Sequence, residues 1–194
     1  MPAVNQPKYD RTTLGLHAAL AAGVVTQLLL GCVMHVPPGP GLGIRDWHRQ
    51  AFEIHARVGV AVAVVCALHW LWIGLPWSRP GVRALFPWIR RESRKILYMD
   101  TKNFLRFEIP ANSSPLVATV HGLGLVAVTG SAIGGIINYL GYFTGAPVPA
   151  FVLHWVARGH IALGYIVGIF LAGHTFMAIL HRSKRYSAQA QPEI

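Results

Sequence analysis

Apolar residues gather along this chain in four long runs, separated by polar, charged and breaker-rich segments. The first run covers about 13–34 and stops at HVPPGPGLG, where three prolines and three glycines forbid a continuing helix. The second covers about 50–74 and ends before Pro76. The third, about 114–140, opens with Ser113 and Ser114 as cap and Pro115 in the first-turn position that proline favours. The fourth covers about 151–180. Each run exceeds the roughly 18 residues that a bilayer crossing needs. The pattern therefore predicts an all-α membrane protein, a four-transmembrane-helix up-and-down bundle forming a single domain over 1–194. No small-residue cleavage site follows the first run, which is read as a span rather than a signal peptide. Gly122, Gly124, Gly130, Gly134 and Gly135 in the third run let a neighbouring helix or a flat cofactor come close.

Composition agrees: 53% of the 194 residues are hydrophobic and 12% charged, where a soluble domain has roughly a quarter charged. The net charge of +10 comes from 17 Lys and Arg against 7 Asp and Glu, and its distribution sets an orientation. Lys8, Arg11, Arg79, Arg83, Arg90, Arg91, Arg94, Lys95, Lys102, Arg106, Arg182, Lys184 and Arg185 fall on one side, and Arg45, Arg49, Arg57 and Arg158 on the other. Thirteen against four places both termini in the cytoplasm of a bacterial cell, with the protein in its inner membrane. Clustering between spans points to lipid rather than nucleic acid as the partner of this charge. The 75–113 loop mixes Trp88, Ile89, Ile96, Leu97, Phe104 and Leu105 with the cations, which suits a segment on an anionic leaflet or a docking surface for a protein. Cys32 and Cys66 both lie in apolar runs, so no disulfide framework is expected, and the absence of CxxCH excludes covalent c-type haem.

Ten histidines are the unusual feature, because such rings inside membrane helices are costly. Once the spans are oriented they fall into two layers. His55 and His160 lie toward the periplasm, with His48 and His154 nearer that surface. His17, His69, His121 and His174 lie toward the cytoplasm. His160 and His174 are fourteen residues apart, about four turns and 21 Å of rise, so both leave one face of the fourth span. His55 and His69 repeat the interval. Paired imidazoles on facing helices are how a bundle holds b-type haem, and two layers imply two such haems. A zinc or copper site needs three or four converging ligands, and no Asp or Glu lies in the middle of a span, which weakens the alternative of a non-redox, His-rich metal transporter.

The opening YDRTTLGLHAAL, the second-span segment EIHARVGV and RGHIALGYIVGIFLAGHTFMAILHR resemble the bacterial cytochrome b561 family. That family includes the cytochrome b subunits of nickel-iron hydrogenases and is similar to the membrane subunit of formate dehydrogenase. The resemblance runs from Tyr9 to Arg182. It implies that His17 and His174 hold the cytoplasmic haem, and His55 and His160 the periplasmic one. The sequence departs from the family at His69, where many members carry an arginine, and this opens a rival pairing of His69 with His174. With His17 as ligand, His69 and His121 become propionate hydrogen-bond donors or proton carriers for a quinone, with His181 beyond them. Arg57 and Arg158 are placed to neutralise propionates of the periplasmic haem, interfacial snorkelling being the other reading.

No nucleophile with a base, phosphate loop or acid pair points to hydrolysis or group transfer. The expected function is dihaem electron transfer across the inner membrane between an unknown redox partner and the quinone or quinol pool. A membrane anchor subunit of a larger dehydrogenase or hydrogenase complex is the alternative. The expected assembly is a homodimer or a subunit of such a complex.

Overall fold

The computed structural model describes residues 9–34, 46–78, 81–111 and 114–189. Among them every regular element is helical: α1 (Arg11–Val33), α2 (Asp46–Gly74), α3 (Val82–Leu85), α4 (Arg91–Phe104), α5 (Pro115–Phe143) and α6 (Ala150–Gln189), with a 3-10 turn at Pro87–Ile89. Helices α1, α2, α5 and α6 are long and apolar enough to cross a membrane, one for each apolar run. The breaker at 35–43 and Ser113 lie outside the described residues.

Polar residues move the helix ends beyond the apolar runs. α1 begins at Arg11 because Asp10 caps it, accepting from the Thr13 amide at 2.7 Å and the Thr13 hydroxyl at 2.8 Å. The same carboxylate accepts from Trp72 Nε1 at 3.2 Å, tying the start of α1 to the end of α2. α2 begins at Asp46, and Glu53 bridges Arg49 (3.5 Å) and Arg57 (3.7 Å) one turn away on either side. Its far end is closed by the Ser78 hydroxyl, which donates to the carbonyls of Ile73 (3.1 Å) and Leu75 (2.9 Å). Ser114 caps α5 by accepting from the Val117 amide at 3.3 Å, with Pro115 in the first turn as expected. α6 runs on to Gln189, about 60 Å at 1.5 Å per residue, so its last turns extend past a hydrocarbon core of about 30 Å.

Neighbours in sequence are neighbours in space. α1 packs on α2, α2 on α5 and α5 on α6, while the backbones of α1 and α6 are not closely packed. The buried core is Leu20 from α1, Val62, Cys66 and Ile73 from α2, Leu125 and Val128 from α5, and Val167 from α6. One polar knot crosses it. Trp70 Nε1 donates to the Thr129 hydroxyl at 2.8 Å, which donates to the Leu125 carbonyl at 2.7 Å. In a bilayer such a pairing holds helices together because lipid offers neither group a partner.

One end of the bundle, the loop end, gathers the start of α1, the end of α2, the 75–113 connection, the start of α5 and the exit of α6. The other is the turn end. The described part of the connection, 81–111, packs against the bundle. Its α3 carbonyl at Leu85 lies so close to Gly122 that a Cβ there would collide with it. Phe86 stacks on Trp70 with ring centres 6.1 Å apart and planes 6° from parallel, and Pro87 is buried. Gly122 is seven residues past Pro115, so this stretch reaches about 10 Å down α5.

Candidate functional site

The bundle brings the histidines together in two places, one at each end. At the turn end, His55 of α2 and His160 of α6 face each other, ring centres 6.1 Å apart and planes at 87°. Helix α5 sets the orientation of His160. The Ser131 carbonyl accepts from its Nδ1 at 2.8 Å, with the Ser131 hydroxyl 3.4 Å away. The ring lies against Gly135, where a Cβ would come within 3.3 Å of Cε1. With Nδ1 committed to a carbonyl, Nε2 is the nitrogen left to act as a ligand, the arrangement usual behind metal-bound imidazoles. His55 is fixed through its backbone, whose carbonyl accepts from Gln27 of α1 at 2.8 Å. Its own Nδ1 is buried with no hydrogen-bond partner among the described residues.

At the loop end, His17 of α1 and His174 of α6 have ring centres 6.2 Å apart with planes at 67°. His121 of α5 is closer to His174, at 4.8 Å and 86°, and its Nδ1 donates to the Val117 carbonyl one turn back at 2.7 Å. Phe170 stacks on His174 at 5.5 Å and 22°. The Phe170 ring in turn fills the space above Gly124, which a Cβ would occupy. Among the described residues His174 makes ring contacts with His17, His121 and Phe170 but not with His69. His69 is buried at 7% exposure, and its Nδ1 has no hydrogen-bond partner among the described residues. These four histidines, with His181 and Arg182, line one cavity of about 950 Å³ whose other walls are mainly Leu, Val, Ile and Phe. That volume is at the upper end of the roughly 300–1,000 Å³ of cofactor and small-molecule pockets.

The other residues expected at the site stand apart. Arg57 is engaged with Glu53 and its side chain is 77% exposed, while Arg158 lies 5.9 Å from the Trp155 ring centre. His48 donates from Nδ1 to the Val33 carbonyl at 2.6 Å, and His154 packs edge-on to Trp155 at 5.6 Å. Sequence reasoning missed Ser131 and Phe170. The Ser131 carbonyl is a backbone group that no residue type announces, whereas Phe170, four residues before His174, carried a usable i, i+4 signal.

The residues fit a haem held by two imidazoles. With about 2 Å from metal to imidazole nitrogen, two rings on one metal have centres roughly 6 Å apart, as both pairs do. Among the described residues no group of three or more His, Cys, Asp or Glu side chains converges on a metal-ion site. The apolar walls of the loop-end cavity suit a porphyrin face, and the α1–α6 seam leaves the bundle open where His17 and His174 meet.

The family model for prokaryotic cytochrome b561 matches residues 8–190. No curated protein and no solved structure matches the chain. With four spanning helices, paired intramembrane histidines and a match over nearly its full length, the chain belongs to the prokaryotic cytochrome b561 family and is a multi-pass membrane cytochrome that binds b-type haem for electron transfer.

Proposed function

We propose that the protein is a dihaem cytochrome that passes electrons across the bacterial inner membrane between a redox partner and the quinone pool. His55 and His160 hold the haem at the turn end, and His17 and His174 the haem at the loop end. The observation that carries this reading is the recurrence of one geometry, two rings about 6 Å apart on facing helices, at both ends of the bundle. Bound b-type haem supplies one-electron redox chemistry. The chain's residues supply the rest. Ser131 engages Nδ1 of His160 and leaves Nε2 as the ligand nitrogen, Phe170 braces His174, and the cavity walls are mainly apolar.

His17, rather than His69, is the partner of His174, because it is the ring that faces His174 at ligand separation. His69, His121 and His181 share the same cavity and move protons to and from a quinone headgroup there, imidazole having one nitrogen to donate a proton and one to accept it. The loop end faces the cytoplasm, supported by the thirteen-to-four division of cations.

Haem content tests the reading. Pyridine haemochrome analysis of the purified protein is expected to give two non-covalent haems per chain, and a value of one would overturn the two-site assignment. His121→Gln is expected to slow reoxidation of reduced protein by added quinone while both haem spectra persist. Unchanged quinone kinetics in this variant and in His69→Gln, with a defect in His154→Gln, would move the quinone site to the turn end.

A further inference from the structure

Outside the two histidine layers, α4 and the residues around it carry a separate chemical pattern. On this helix Ser93, Leu97, Asp100 and Phe104 recur at i, i+4, i+7 and i+11. The first three are half-buried, and Phe104 lines the loop-end cavity, so this face turns toward the bundle. Arg91, Arg94, Lys95 and Lys102 fall on the opposite face by helical periodicity, with Tyr98 among them, and all are exposed. Among the described residues none of these four cations is in an ion pair. Large apolar side chains stand around them in the open: Ile89 is 73% exposed, Leu105 75% and Phe107 96%. Phe107 is held at φ 65°, a left-handed conformation that costs a phenylalanine energy.

A soluble acidic protein and a lipid headgroup layer are both matched to a bare cationic face. The path of the chain separates them. The stretch leading into α4 is folded about 10 Å down α5, with the Leu85 carbonyl against Gly122 and Phe86 on Trp70. From Ile89 the chain enters α4 directly, so Arg90 and the first turn of α4 start from a segment packed against a membrane-spanning helix, which, with α5 in a bilayer, would set them at about headgroup depth. Cations at that depth, interleaved with exposed Ile, Leu, Tyr and Phe, match a leaflet surface: the charges meet phosphates and the apolar groups enter the acyl boundary.

We propose that the outer face of α4 binds anionic phospholipid headgroups of the leaflet at the loop end, through Arg91, Arg94, Lys95 and Lys102, and that Phe104 carries this contact to the rim of the loop-end cavity. The lipid thereby forms part of the floor on which the cavity mouth rests. Each basic group near an anionic surface adds to the attraction, and salt screens it.

The test uses the full-length, haem-loaded protein in nanodiscs of phosphatidylcholine alone or with about 30% phosphatidylglycerol. Trypsin cleavage at Arg90 and Arg91 is normalised to cleavage of a soluble arginine peptide added to the same discs, so that general effects of disc charge on the protease cancel. The expected result is about fivefold or greater protection in the anionic discs, reversed by about 0.5 M NaCl. In the variant R94Q, K95Q, K102Q, which keeps both cleavage sites, the protection is expected to fall to the neutral-disc value while the haem spectrum is unchanged. Equal cleavage in the two discs overturns the proposal, as does protection that survives in the variant. Protection in neutral discs that appears only when polyglutamate is added overturns it too, and assigns the face to an acidic protein.

Discussion

Ser131 decides which nitrogen His160 presents, and the decision is made by a backbone carbonyl that a side-chain substitution leaves in place. Variants of the histidines themselves are therefore the sharper probes. His160→Ala is expected to halve the haem content by emptying the turn-end site, and His174→Ala to do the same at the loop end. Of the next pair, His17→Ala is expected to abolish the loop-end haem and His69→Ala to leave its spectrum present; the reverse outcome, read by absorption of reduced protein, reassigns the ligand to α2. Thr129→Val tests a different kind of residue. It removes the acceptor of the Trp70 indole, and an unpaired buried donor costs roughly 1–3 kcal/mol, at the lower end in membranes. A lowered midpoint of unfolding in mild detergent with an unaltered haem spectrum is the expected signature.

The four spanning helices were readable because their signal is a sum over some twenty residues, and each apolar run corresponds to one helix. The histidine layers were readable too, since depth in a helix follows from position in a span. Which rings meet across the bundle does not follow from position alone, because it depends on helix rotation; the family resemblance pointed to His17 with His174 and His55 with His160, and nothing in the sequence announced that His121 also reaches His174. α4 escaped for a different reason. Its helicity leans on packing against α5, and it ends in a Schellman motif: the Glu108 amide donates to the Asn103 carbonyl and the Phe107 amide to the Phe104 carbonyl, at 3.0 and 2.9 Å. The left-handed position is Phe107 rather than the glycine that marks such an end in a sequence. The contact of α5 with α6 at Gly124 yields a prediction at this scale. Gly124→Ala would drive the Phe170 ring off its seat and turn His174 with it, at about 1–3 kcal/mol of overpacking. A redox titration is expected to show the loop-end haem shifted in potential and the turn-end haem unmoved. A shift of both together would show that Phe170 braces the whole bundle rather than one ring.

For the molecule as a whole, the uneven distribution of cations predicts that a C-terminal fusion works as a cytoplasmic reporter and stays silent as a periplasmic one. An active periplasmic fusion would turn the bundle over and exchange the environments of the two histidine pairs. A further consequence follows from α6, the one helix that contributes to both pairs, His160 at one end and His174 at the other. Because a single rigid rod carries both rings, the two sites are keyed to each other in phase as well as in spacing. One alanine inserted between 161 and 173 would swing His174 by about 100° relative to His160, out of reach of α1. Four would bring it back to within about 40° of its starting azimuth, but about 6 Å farther along. The four-residue insertion is thus expected to keep more loop-end haem than the one-residue insertion and less than the parent protein, as a key with the right bitting fails when its reach is wrong.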